Sequence, residues 1–79
     1  VISQALKQAK ISAIDKSIQE VIEEAKRIFA ASSLELEYFQ IVDPTTLMDL
    51  KEWKSGAHAC LTAYCGEVRL LDNLQLKPA

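Results

Sequence analysis

The stretch SIQEVIEEAKRIF, residues 17–29, restricts the possible folds more than any other part of the chain. Ile18, Val21, Ile22, Ala25, Ile28 and Phe29 recur every third or fourth position. That is the period of an α-helix, and it collects the apolar side chains into one stripe. Glu20, Glu23, Glu24, Lys26 and Arg27 take the opposite face. Ser17 and Glu20 match a capping box, in which each side chain satisfies a backbone N–H that the first helical turn leaves without a partner. Glu23 and Arg27 predict an ion pair worth a few tenths of a kcal/mol. Glu23 and Glu24, adjacent on the polar face, read as solvated. Such a helix has to bury its stripe against another layer.

The rest of the chain supplies that layer. Residues 1–10 form another helix, with Ile2, Leu6 and Ala9 on one face and no capping residue ahead of it, as in a chain cut from a longer one. Residues 36–42, LEYFQIV, are β-branched and aromatic and predict a strand. Asp43 before Pro44 predicts a short helical turn. Trp53 stands as an apolar anchor in the polar loop KEWKSG. Residues 57–64 predict a second strand, Gly66 a tight turn, and residues 67–76 a third strand antiparallel to the second. LKPA, at the end, reads as an unstructured tail or linker. The expected fold is α+β: two helices packed on one face of a three-stranded antiparallel sheet, with a short helical turn between strands 1 and 2. Residues 1–79 are read as one small domain.

The third strand contains a conflict. Alternation puts Val68, Leu70, Asp72, Leu74 and Leu76 on one face and Glu67, Arg69, Leu71, Asn73 and Gln75 on the other. Asp72 therefore falls among four aliphatic residues. A buried carboxylate without partners is costly, so the sequence predicts either a partner or a bulge at Asp72–Asn73.

Little in the chain points to chemistry of its own. Its net charge of −2, with 9 unclustered Lys and Arg, does not suit a nucleic-acid partner. No apolar stretch approaches the roughly 18 residues of a membrane span. Two glycines, Gly56 and Gly66, rule out a glycine-rich phosphate loop. His58 has no carboxylate or serine at a useful spacing, and Cys65 has no evident base. Cys60 and Cys65 are read as free thiols of a reducing compartment. No residue is assigned as catalytic, cofactor-binding or metal-ligating.

LEYFQIVDPTTLMDL followed by AHACLTAYCGEVRLLDNLQL resembles the C-terminal domain of the pantothenate synthetase (pantoate–β-alanine ligase) family. The resemblance rests on Tyr38, Ile41, Val42, Asp43, Pro44, Leu47, Ala63, Gly66, Arg69, Leu70, Asp72 and Asn73, with Leu71 where the family usually has Ile. It covers residues 36–76. It implies part of an ATP-dependent ligase that adenylates pantoate and then joins it to β-alanine, releasing AMP. The family's HIGH-like motif and SSRN-type phosphate-contacting loop are not in this sequence, and the loop would fall just before Val1. The resemblance thus implies a lid domain, inactive alone, whose partner is the N-terminal catalytic domain of the same enzyme. ATP and Mg2+ would serve the full-length enzyme, with none expected on this segment. The full-length enzyme would be a cytoplasmic homodimer and the segment a monomer. Arg69, Asp72 and Asn73 would either dock the lid or stabilise it internally. The rival reading is an independent small α+β interaction or regulatory module without catalysis.

Overall fold

The apolar stripe of residues 18–29 forms the centre of the molecule in the computed structural model, which describes residues 1–78. The elements run α1 (Ile2–Ser12), α2 (Ile18–Ala30), β1 (Glu35–Val42), β2 (His58–Cys65) and β3 (Val68–Gln75). The strands form one antiparallel sheet in the order β1-β2-β3, as expected. Val21, Ala25 and Phe29 of α2 and Ala5, Leu6 and Ala9 of α1 share a core with Phe39 and Ile41 of β1 and Ala59, Leu61 and Ala63 of β2. Alanines at alternate positions of the central strand let the helices approach the sheet closely. Among the described residues, the other face of the sheet carries no helix.

The capping box forms: Ser17 Oγ accepts from the Glu20 N–H, and Glu20 Oε1 accepts from the Ser17 N–H at 3.1 Å. Two expectations on α2 change. Glu23 meets Gln19 at 2.8 Å and Lys26 at 3.9 Å rather than Arg27. Glu24 is not simply solvated. Its side chain is 18% exposed, accepts from Ser12 Oγ at 2.6 Å, and pairs with Lys16 at 2.9 Å. These contacts tie α1 and the corner after it to α2, and they hold the Glu24 carboxyl below its ordinary range, Lys16 contributing most.

The corner between the helices is fastened from a distance. Trp53 Nε1 donates to the Lys16 carbonyl at 2.8 Å. The Lys77 ammonium lies 4.9 Å from the Trp53 ring centre and donates to the Ala13 carbonyl. Leu76 and Pro78 are thus tied down rather than part of an unstructured tail: Leu76 N–H donates to the Ala57 carbonyl and Gly56 N–H to the Pro78 carbonyl, each at 2.8 Å. Ala79 lies outside the described residues.

The short helical turn is one turn and no more. Leu47 N–H donates to the Asp43 carbonyl at 2.9 Å. Leu47 then takes φ +62°, the left-handed conformation that a leucine adopts at a cost, and the helix stops. The chain doubles back so that Leu50 N–H reaches the Ile41 carbonyl. Asp43 organises this reversal. Its Oδ1 accepts from the Thr45 and Thr46 N–H groups at 2.7 and 3.2 Å, and its Oδ2 pairs with Lys54. Gly56 closes the loop at φ +78°, where an added Cβ would lie 2.9 Å from Pro44 Cγ. No larger residue fits there without displacing the proline.

Lys54 above all, then the two threonine N–H groups, hold the Asp43 carboxyl at about 2, below its ordinary 3.8. A lowered carboxylate pKa contributes stability that is fully present above the unfolded value and lost as pH falls through the folded one. We therefore expect the melting temperature of the chain to fall more steeply between pH 4 and 2 than that of Asp43→Asn. Thermal melts at stepped pH measure this, and parallel curves would remove Asp43 from the acid response.

Candidate functional site

The third strand answers its own conflict without a bulge. β3 pairs with β2 in unbroken register from Cys65↔Val68 to His58↔Gln75, so the bulge expected at Asp72–Asn73 is absent. Asp72 does lie across from Leu61, which is 1% exposed, but Asp72 itself is exposed. It lies on the outer strand of the sheet. Its Oδ1 accepts from the Asn73 N–H at 2.8 Å.

The bulge occurs in β1 instead, where the register shifts between Leu36 and Tyr38 and leaves Glu37 unpaired. The sequence carried a signal for it. Leu36, Phe39 and Ile41 all join or pack on the core, and their spacing of three and then two cannot be met by a regular strand. The extra residue restores the phase. It also sets Glu37 on the helix-free face, where Tyr64 Oη donates to it at 3.4 Å and Arg69 Nη2 at 3.2 Å. The Arg69–Glu37 ion pair therefore crosses all three strands. Both groups are substantially exposed, so the pair contributes little to stability.

The three residues singled out in RLLDN do not converge. Arg69 and Asn73 share the helix-free face, while Asp72 starts from the opposite one. Asn73 Oδ1 lies 3.1 Å from His58 Nε2. Between these pairs, Thr62 is fully buried under its neighbours, and its hydroxyl has no partner among the described residues. Beyond His58, a hollow of about 410 Å³ is lined by Val42, Pro44, Leu47, Cys60 and Gln75. It holds no acid–base pair. Burial pushes the Cys60 thiol up, which disfavours the thiolate that a nucleophile needs. Cys60 and Cys65 are both free. Among the described residues, no three His, Cys, Asp or Glu side chains gather as a metal site. No described helix is long and apolar enough to cross a membrane.

Comparison with known proteins gives this fold a family. The family profile described as Pantoate-beta-alanine ligase matches residues 1–75. Pantothenate synthetase of Phocaeicola vulgatus is 49% identical over 61 residues, covering 75% of this chain and 21% of that protein. Pantothenate synthetase of Bacteroides thetaiotaomicron is 41% identical over 81 residues, covering 96% of this chain and 28% of that protein. The crystal structure of pantothenate synthetase from Thermus thermophilus superposes with a TM-score of 0.85 at 30% identity, over 95% of this chain and 28% of that one. The chain thus spans about a quarter of the length of the relatives it matches. With the profile match reaching from Val1 to Gln75 and both helices and all three strands superposing on a solved member, the chain belongs to the pantoate–β-alanine ligase family.

Proposed function

We propose that this chain is the C-terminal lid of an ATP-dependent ligase that joins pantoate to β-alanine through a pantoyl adenylate, releasing AMP. The family match over residues 1–75 carries the reading. Gly56 and Gly66 each sit in a turn, so the segment offers no glycine-rich phosphate loop. No chemical step is therefore assigned to this segment. ATP, Mg2+ and both substrates are held by the N-terminal catalytic domain of the same cytoplasmic enzyme, which dimerises through that domain while this segment is monomeric. The lid's contribution is physical. An acyl adenylate hydrolyses readily, and a packed layer closing over the site excludes water and brings the family's phosphate-contacting loop, which would lie ahead of this segment, into place.

Two measurements test the reading. The purified chain, given ATP, pantoate and β-alanine, is expected to release no AMP, whereas the full-length enzyme does. AMP release by the chain alone would overturn it. Within the full-length enzyme, Arg69→Ala is expected to leave pantoate turnover unchanged and lower the melting temperature slightly, because Arg69 is already engaged by Glu37. Lost turnover at an unchanged melting temperature would instead make Arg69 a docking residue.

A further inference from the structure

The outer edge of β3 has no strand beside it among the described residues. Eight residues pair regularly with β2 on the inner side, with no bulge to twist the outer edge away. A long, regular edge without a neighbouring strand is a template for another strand. Leu76 N–H turns inward to Ala57. In an antiparallel ladder the backbone groups of alternate residues point to opposite sides. Leu74, Asp72, Leu70 and Val68 therefore direct their N–H and C=O groups to β2. Arg69, Leu71 and Asn73 direct theirs outward.

A second copy of the chain fits this edge well in one register. With a two-fold axis at Leu71, Leu71 faces its own copy and Arg69 faces Asn73 of the other chain. Leu71, Arg69 and Asn73 then meet in the outward hydrogen-bonding phase, and the members of each facing pair lie on the same face of the extended sheet. Leu71, 64% exposed, would cover its copy, and no charge would oppose a like charge. An axis at Asp72 would set two carboxylates against each other. A second copy is thus the strand against which this edge needs a guard.

We propose that Asp72 keeps β3 from pairing with a second copy of the chain. Its carboxylate occupies the outward Asn73 N–H at 2.8 Å, the donor that the two-fold register would hand to the Arg69 carbonyl of the other copy. By symmetry the block acts twice in each would-be dimer. It also places a charge at the edge, facing Leu70 of the other copy. An anion in an apolar strand is, on this account, an edge guard.

Sedimentation velocity over a wide concentration range tests the proposal on the 79-residue chain. The native chain is expected to sediment as a monomer throughout, Asp72→Val as a concentration-dependent dimer, and Asp72→Val combined with Leu71→Asp as a monomer again. A native chain that dimerises overturns the proposal. So does a monomeric Asp72→Val, or a double variant that associates as strongly as the single one. Amide hydrogen exchange on the native chain tests the cap without a variant. After correction for the intrinsic exchange rate of each residue, the Asn73 amide is expected to exchange about two- to tenfold more slowly than that of Leu71, which shares the edge but has no acceptor. Equal rates would show that the cap is not in place and overturn the proposal.

Discussion

Replacing Phe29 with alanine is expected to cost about 3–5 kcal/mol and to leave the chain close to unfolded at room temperature. Phe29 is 2% exposed and sits in the last turn of α2, within the core shared with β1 and β2. Alanine there removes the transfer free energy of the ring and leaves a cavity that a close-packed interior refills only in part. The loss is large against the whole. A domain of this size is stable by about 4–12 kcal/mol and buries only about 60% of the surface its unfolded chain exposes. Urea unfolding followed by circular dichroism measures the change. A cost below about 1.5 kcal/mol would mean that the site collapses onto the gap, and that α2 is not clamped to the sheet as described.

The next largest effect belongs to Trp53. Trp53→Ala is expected to cost about 2–3 kcal/mol, from lost ring packing and from a Lys16 carbonyl left without its donor. Trp53 is half-buried and holds the corner between the helices from 37 residues away. Lys77 over its ring adds a cation–π contact. Trp53→Phe keeps an aromatic face and removes only the N–H, so it should cost about 1 kcal/mol. Melting temperatures of the two variants separate packing from the hydrogen bond. Equal losses would assign the whole effect to the indole N–H, and no loss in either would mean that the corner holds without the tryptophan.

Much of the fold was legible because it is local. The stripe on residues 18–29, the Ser17–Glu20 box and Gly66 each act within a few residues, so the helix, its start and the hairpin turn follow from neighbours in the chain. Gly66 takes φ +62° between Cys65 and Val68, as a two-residue hairpin with glycine first requires. The Asp43 turn was legible in kind but not in length. Nothing in DPTTL announces that Leu47 will turn left-handed and end the helix after one turn. The candidate site was legible only as a list of residues. Arg69, Asp72 and Asn73 stood out as polar, but their partners were not readable. Arg69 pairs with Glu37 32 residues away, and His58 meets Asn73 across 15.

The amino-acid sequence by itself determined which side chains are apolar together, hence two helices, three strands and the phase of each except β1. Tertiary structure decided where the helical cover stops. Asp72 is in phase with half-buried Leu70 and Leu74 and opposite buried Leu61, yet it is exposed, because β3 is the outer strand of the sheet. Tertiary structure also decided where the one detected register shift falls, since β1 has to bring Leu36, Phe39 and Ile41 onto the same core. Periodicity specifies a face, which is a property of one segment. Burial depends on what lies above that face, and only the packing of segments distant in the chain supplies it.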